Sequence, residues 1–199
     1  MQFIPSTYQL FIVGFVVLLL LLSGFRARNL RAWWLDVQAF FFVLILIYIG
    51  SIFFEMSPFS YILMAMFAVI HIIGSKFSYI NVPFGYTLGR IFHIHRNIYD
   101  RLVHFSFGLL FTYPSYEVFS GNLGLDGISA YYIPFSHILA LSAVFEIFEW
   151  VRAANLKPDL AEEFIGMQGD IWDSSKDIAS AGVGSLIVTA VIFFTNTML

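Results

Sequence analysis

The sequence predicts an all-α, polytopic membrane protein, a bundle of about six transmembrane helices with a cytoplasmic-side polar cluster. Of the 199 residues, 59% are hydrophobic and only 12% are charged, whereas a soluble domain is about half apolar and a quarter charged. The mean hydropathy is +0.83. The Lys and Arg residues are confined to alternate connections between the apolar stretches, as expected when the chain crosses a membrane repeatedly.

Six apolar stretches have the length of about 20 residues that a spanning helix needs. They cover roughly residues 8–24, 35–54, 59–79, 100–119, 131–151 and 175–195. No Lys or Arg precedes the first stretch and no small-residue cleavage site follows it, so we expect a retained helix rather than a signal peptide. No repeat or linker divides the chain, and we expect one integral membrane domain over residues 1–199.

The basic residues predict the orientation of the bundle. Arg26, Arg28 and Arg31 lie between stretches one and two, and the other seven lie between stretches three and four or five and six. The remaining connections and both chain ends contain none. Because Lys and Arg concentrate in cytoplasmic loops, we expect a multi-pass protein of the bacterial inner (cytoplasmic) membrane with both termini on the non-cytoplasmic side.

Two of the connections that carry basic residues are longer than turns. Residues 80–97 combine prolines, glycines, aromatics and basic residues, which favours an irregular or interfacial segment. Residues 152–174 contain a short amphipathic piece at 159–165, followed by Gly166 and Gly169, which indicate a tight turn back into the membrane. Residues 114–127 are typical of an ordinary turn.

Acidic and imidazole side chains of four predicted helices fall at one depth, at the cytoplasmic end. They are Asp100 and His104 on the fourth helix, Glu146 and Glu149 on the fifth, Asp170, Asp173 and Asp177 at the start of the sixth, and His71 on the third. The spacings within each group place its members on one helix face. Charge inside a membrane is costly unless it is paired, hydrated or bound to a ligand, so the pattern predicts a functional polar site.

Single members of this group have simpler explanations. Asp100 or Asp173 at a helix start would be stabilised by the helix dipole or act as a cap. Glu149 is spaced to pair with Arg152, and His71 is typical of a hydrogen-bonded bundle histidine. Caps do not explain Glu146, which lies at a helix end where the dipole has the wrong sign.

The predicted chemistry is that of a divalent metal ion. The chain has no cysteine, and oxygen and imidazole ligands suit Mg²⁺, Mn²⁺, Zn²⁺ or Fe²⁺. The predicted ligands are Asp170, Asp173, Asp177, Glu149, Glu146 and His71. We expect His104, oriented by Asp100, to act as general acid or base, and Arg96, Arg101 and Lys176 to meet phosphate.

Three motifs near this site resemble a known family. They are RNxYDRxxHF at 96–105, ExxEW at 146–150 and FxGxQGDxWDxxxD at 164–177. In this order and spacing they closely resemble the YjdF-like family of bacterial inner-membrane proteins, over residues 71–184. The resemblance implies a small polytopic inner-membrane protein.

The chain is more loosely similar to VanZ-like proteins, which confer glycopeptide tolerance. These pair a DxxxHF helix with a later acid and an Asp-led, Gly-rich last helix, an outline followed here by Asp100, His104, Glu149, Asp177, Ala181, Gly182 and Gly184. The Asn that usually follows the last Asp by one turn is Ala181 here. This similarity implies chemistry on an envelope lipid or cell-wall precursor.

Three functions are consistent with these residues. The first is a metal-dependent enzyme acting on a membrane lipid or lipid-linked phosphate at the cytoplasmic leaflet. The second is a cation or proton transporter or channel subunit, and the third is a structural or accessory subunit whose polar layer fixes helix register. We expect membrane lipid and no nucleic acid as partner, with a homo-oligomer or membrane complex left open.

Overall fold

The fold is helical throughout the part of the chain that the structure, a computed structural model, describes: residues 6–198, without the side chains of residues 42 and 46. Its helices are α1 (Thr7–Gly24), α2 (Leu30–Phe53), α3 (Pro58–Phe77), α4 (Pro83–Ile91), α5 (Tyr99–Tyr116), α6 (Ser129–Ala153), α7 (Pro158–Ile165) and α8 (Asp173–Met198). A π-helical segment, Glu117–Asn122, continues α5. The predicted all-α membrane fold is confirmed. The prediction that both termini lie on the non-cytoplasmic side concerns residues outside this range.

Within residues 6–198, five helices are long and apolar enough to cross a membrane: α1, α2, α3, α6 and α8. They correspond to five of the six predicted stretches. The other stretch is α5, which is not among the five and carries Asp100, Arg101 and His104 in its first turns. α5 packs against α3, α6 and α8, so its polar side chains can face protein instead of lipid.

Side-chain caps explain where two of the helices begin. Asn29 Oδ1 accepts the backbone N–H groups of Arg31 (3.0 Å) and Ala32 (3.4 Å), a standard helix start. α2 therefore starts five residues before the predicted boundary of 35, and Arg31 lies in its first turn instead of the preceding loop. Ser57 caps α3 in the same way, ahead of Pro58.

Hydrogen bonds and ion pairs between the segments at the helix termini define two ends of the bundle. At one end the Arg28 N–H donates to the Lys76 carbonyl (3.0 Å), and Arg96 pairs with Asp173. The ten Lys and Arg residues lie in or beside the segments of this end, which we call the basic end. At the opposite end, Asn196 Nδ2 donates to the Tyr116 hydroxyl (2.8 Å).

The centre of the bundle is the contact between α5 and α8, which depends on glycine. A Cβ at Gly108 would lie 1.9 Å from the Ala181 carbonyl oxygen, and one at Gly184 would lie 2.2 Å from the Phe105 carbonyl oxygen. Only glycine permits this approach, the small-residue packing typical of membrane helices. The close contact brings the acid-bearing face of α8 onto α5.

The shorter elements refine the predicted connections. The predicted amphipathic piece is confirmed as α7, whose Phe164 packs with Leu35 and Ala153. The predicted irregular segment contains α4, which leaves Phe84 and Ile91 exposed and so presents an apolar face suited to lipid.

The prediction of an ordinary turn over residues 114–127 is wrong for residues 114–122 and confirmed for residues 123–127, where Gly124 and Gly127 have φ of 69° and 53°. α5 continues to Tyr116 and then into the π-helical segment. Glu117 Oε2 in that segment accepts the Ser57 N–H (3.0 Å) and the Ser60 hydroxyl. These tertiary hydrogen bonds stabilise the helical conformation of residues whose local composition favours a turn.

Candidate functional site

Three aspartates from two helices meet at the basic end. Side-chain oxygens of Asp100 on α5 and of Asp173 and Asp177 on α8 lie within 4.8 Å of one another. Asp173 and Asp177 are 3% and 1% exposed, and Asp177 Oδ1 has no hydrogen-bond partner among the described residues. We call these three residues the acid triad.

Two arginines lie against the acid triad. Arg96 Nη1 is 2.7 Å from Asp173 Oδ1, and Arg101 Nη2 is 3.3 Å from the same oxygen. Arg101 Nε is 4.0 Å from Asp177 Oδ1, beyond hydrogen-bond distance. The guanidinium groups therefore compensate Asp173 much more closely than Asp177.

Hydrogen bonds between two of the motifs, residues 96–105 and residues 164–177, set the position of this site. Asn97 N–H donates to Gln168 Oε1 (3.0 Å), and Gln168 Nε2 donates back to the Asn97 carbonyl (3.0 Å). Gly166 and Gly169 have φ of 72° and 82°, the left-handed conformation that glycine adopts readily. Arg96 also donates to the Gly166 carbonyl (3.1 Å). The segment before α5 thus holds the turn that starts α8.

The structure gives His104 a different partner from the predicted one. Nε2 of His104 lies 3.1 Å from Glu146 Oε1 but 4.0 Å from Asp100 Oδ1. Its Nδ1 is 2.9 Å from the Ser142 hydroxyl. Spacing along α5 puts Asp100 on the same face as His104, but α6 presents Glu146 and Ser142 directly to the ring. The closest carboxylate therefore belongs to a neighbouring helix.

Glu149 and one acid that was not predicted, Asp36, are further buried carboxyl groups near the triad. Glu149 interacts electrostatically with Asp100 and Asp177, and Asp36 on α2 interacts with Asp100 and Glu149. Arg152, the alternative partner of Glu149, instead donates to Gln38 Oε1 (2.7 Å). 

Asp36 was not predicted as a site residue, because an acid at the start of an apolar stretch is typical of a headgroup-level charge. α2 begins at Leu30, so Asp36 lies more than one turn inside the helix and is only 8% exposed. Asn97 and Gln168 were also missed as positioning residues, although both fall inside the motifs that carry the family resemblance. Only their contacts across the two segments show what they do.

His71 lies outside the acid triad. Its ring stacks on Phe40 at 5.0 Å, and its Nδ1 is hydrogen-bonded to the Tyr79 hydroxyl. Burial, with the charge of Asp36 as the next cause, raises the pKa of Tyr79 well above its ordinary value. The hydroxyl therefore stays protonated and can donate to Nδ1. This arrangement matches the simpler explanation, a hydrogen-bonded bundle histidine.

Asp170 does not share a helix face with the acid triad, so that part of the predicted pattern is wrong. α8 begins at Asp173, and Asp170 lies in the preceding turn, where its Oδ1 accepts the Trp172 N–H (3.1 Å). Its Oδ2 contacts Lys176 Nζ at 2.7 Å and also the Arg101 guanidinium. The hydrogen bond from Lys176 is the main cause that lowers the pKa of Asp170. Asp170 is therefore an ion-paired carboxylate.

The residues predicted to contact phosphate all take part in ion pairs with Asp170 or Asp173. They are Arg96, Arg101 and Lys176. Arg96 and Arg101 are largely buried beside Asp170 and Asp173. The Lys176 side chain is 48% exposed. Lys176 is thus the cation of this set that a ligand can reach most directly.

Two cavities open near this end. A cavity of 750 Å³ lies between the α1–α2 connection and α7, and its lining includes Arg28, Asp159 and Glu163 but no member of the acid triad. A groove of 370 Å³ lies between α5 and α8 and is lined in part by Arg101 and Lys176. Only the groove includes a side chain that contacts the triad.

The buried charges of the site do not balance. Among the described residues, six acids at this end are at most 9% exposed: Asp36, Asp100, Glu146, Glu149, Asp173 and Asp177. The largely buried cations beside them are Arg96 and Arg101. A buried carboxylate without a partner must take up a proton or bind a cation. The arrangement can therefore hold protons, a metal ion or both.

Comparisons with known proteins cover nearly the whole chain. A family model described as a predicted membrane protein (DUF2238) matches residues 8–197. The chain is 30% identical over 182 residues to the inner membrane protein YjdF of Escherichia coli strain K12, which covers 91% of this chain and 86% of that protein. No solved structure matches. Every residue of the site lies within the matched range.

Proposed function

The chain belongs to the DUF2238 family of predicted membrane proteins, and we propose that it is a metal-dependent membrane enzyme acting on a lipid or lipid-linked phosphate. The resemblance to YjdF-like proteins is confirmed by the similarity to the inner membrane protein of E. coli. The observation that carries the proposal is the acid triad with an unpartnered, buried Asp177 Oδ1. The positive-inside rule would put this site at the cytoplasmic leaflet.

The acid triad fits a hard divalent cation. Oxygen ligands bind such ions at about 2.0–2.6 Å, so oxygens on opposite sides of one ion lie about 4–5 Å apart. The 4.8 Å limit within the triad is compatible with this geometry. Three carboxylates without imidazole favour Mg²⁺ or Mn²⁺ over Zn²⁺ and Fe²⁺. Asp100, Asp173 and Asp177 would hold the ion.

The surrounding side chains suit phosphoryl chemistry. A bound divalent ion would supply charge for a phosphoryl oxygen and lower the pKa of a water. His104 would act as general acid or base, with Nε2 3.1 Å from Glu146 Oε1 and Nδ1 2.9 Å from the Ser142 hydroxyl. Arg101 would orient the phosphate because it lines the groove and lies next to Asp177.

Metal content tests the proposal directly. Elemental analysis of the purified protein, after dialysis against Mg²⁺ or Mn²⁺, should give about one ion per chain. Asp177→Asn should abolish this stoichiometry, because it removes a ligand charge from a site built from carboxylates.

The matched control is Asp159→Asn, an exposed acid on α7 at the same end of the bundle. It should leave the metal content unchanged. A wild-type protein that binds no stoichiometric metal, or an Asp177→Asn variant that binds as much as the wild type, would overturn the metal site and the enzyme mechanism with it.

A second candidate, passage of a cation or proton, is favoured by buried polar pairs farther along α5. Thr112 Oγ1 donates to Ser185 Oγ (2.7 Å), and Ser115 Oγ lies 3.1 Å from His137 Nδ1. Intramembrane polar groups of this kind commonly mark ion or proton paths. Ion flux into proteoliposomes that disappears with Asp177→Asn would support this candidate; wild-type vesicles no leakier than empty ones would exclude it.

A further inference from the structure

A groove on the outer surface of the bundle runs between α5 and α8. Its lining is Arg101, Phe105, Lys176, Ala179, Ser180 and Val183, and its volume is 370 Å³. On α8 these residues recur at i, i+3, i+4 and i+7, and on α5 at i and i+4, so each helix contributes one continuous face. The volume lies within the range of small-molecule sites.

Charge and polarity change along the groove. Its first lining residues on each helix, Arg101 and Lys176, are cations at the basic end, whereas Phe105, Ala179 and Val183 follow deeper along the helices. Arg101 and Lys176 share Asp170 as a common anion. Lys176 and Val183 are about half exposed, so the groove is open to the surroundings of the bundle.

We propose that this groove binds an anionic glycerophospholipid from the surrounding membrane. The headgroup phosphate would contact Lys176 and Arg101 from the open side of the groove, beside the Asp170 carboxylate that bridges them. The start of an acyl chain would lie along Phe105, Ala179 and Val183. Basic pockets between transmembrane helices select anionic headgroups. A free phosphate would leave the apolar walls of the groove unused, which is why the lipid is the favoured occupant.

The groove also connects to the acid triad through one side chain. Arg101 lines the groove, and its guanidinium lies 3.3 Å from Asp173 Oδ1 and 4.0 Å from Asp177 Oδ1. A phosphate held by Arg101 would therefore adjoin the metal ligands. In this respect the inference rests on the proposed function and specifies its substrate as a lipid that enters sideways from the bilayer.

Native mass spectrometry tests the groove with the full chain. The protein is equilibrated in mixed micelles with equal amounts of phosphatidylglycerol and phosphatidylcholine, and retained lipid is counted per chain. We expect one retained phosphatidylglycerol. Lys176→Gln should weaken retention about tenfold, because a charge-assisted hydrogen bond to phosphate is lost, and Ala179→Trp should weaken it by filling the groove.

Matched variants separate lipid binding from loss of folding. Lys176→Arg should retain the lipid, since it keeps the charge, and Lys157→Gln, an exposed lysine outside the groove, should have no effect. Equal retention of both lipids, or equal loss in Lys157→Gln and Lys176→Gln, would overturn the proposal. So would binding of inorganic phosphate that depends on Lys176 without any retained lipid.

The two proposals fail in different ways. Asp177→Asn should lose the metal but keep phosphatidylglycerol, because Asp177 does not line the groove. A protein that retains the lipid without ever binding metal would contradict the enzyme mechanism and leave the groove intact. A protein that binds metal but shows no preference for phosphatidylglycerol would contradict the groove alone.

Discussion

Asp170 and Asp177 are seven residues apart, yet their carboxylates have opposite surroundings. Asp170 contacts Lys176 and Arg101 and lies 3.6 Å from Arg96. Asp177 is buried, and its Oδ1 lacks a hydrogen-bond partner within the described part of the chain. The first carboxylate is saturated by cations, whereas the second is available for a proton or a metal ion.

At this scale the ion pairs of Asp170 predict a pH dependence of stability. Because the pKa of Asp170 is lowered in the folded protein, its contribution is complete above the ordinary carboxyl pKa of about 3.9 and disappears as the pH falls toward the lowered value. Asp170→Asn should therefore melt at a lower temperature than the wild type by a constant difference between about pH 5 and pH 8. The difference should shrink below about pH 4.

Thermal unfolding of both proteins in detergent, followed by circular dichroism, measures this difference. Glu55→Gln is the control, since this acid is exposed in the connection between α2 and α3, and it should follow the wild type at every pH. A difference that widens toward acidic pH would contradict the role given to Asp170.

At the scale of the helices, the α5–α8 contact decides whether the site forms. The acid triad draws one residue from α5 and two from α8, so it exists only when these helices meet closely. Gly108 and Gly184 permit that approach because neither has a side chain where the facing carbonyl lies.

Gly108→Ala should therefore destabilise the protein strongly. The added Cβ would lie 1.9 Å from the Ala181 carbonyl, and separating the two backbones should cost about 3 kcal/mol. Gly14→Ala is the matched control in α1, where a Cβ would meet nothing within 4 Å; it should stabilise by about 0.5–1 kcal/mol. Chemical unfolding of both variants gives the two values, and equal stability of the two would show that the helices are not held at this distance.

At the scale of the whole molecule, the bundle has a basic end and an end without Lys or Arg. The connections that carry the basic residues contact one another, as Arg28 with Lys76 and Arg96 with Asp173 show. The opposite end joins the connection after α2 to the segment after α5, where the Glu55 N–H donates to Asn122 Oδ1 (2.9 Å). This separation of charge favours one orientation in the membrane.

We predict that α1 begins and α8 ends on the non-cytoplasmic side. Alkaline phosphatase fused after α8 should be active, since the enzyme requires the oxidising periplasm. The same enzyme fused after Lys157, between α6 and α7, should be inactive. The reverse pattern would place the acid triad at the periplasmic face and contradict the positive-inside orientation.

The sequence by itself determined the membrane class, the long helices and the faces that most of their polar residues share. Apolar stretches of bilayer length can satisfy their backbone hydrogen bonds only as helices or closed barrels, so composition and length were sufficient there. Spacing along one helix also identified Asp173 and Asp177 as neighbours, because a helix repeats every 3.6 residues.

Contacts between helices were decided only by the tertiary structure. His104 meets Glu146 of α6 more closely than Asp100 of its own helix, and Asp36 joins the site from α2. Spacing along a helix says nothing about its rotation or its distance from a neighbour. Those depend on packing between elements far apart in sequence, such as the glycine contact that brings α8 onto α5.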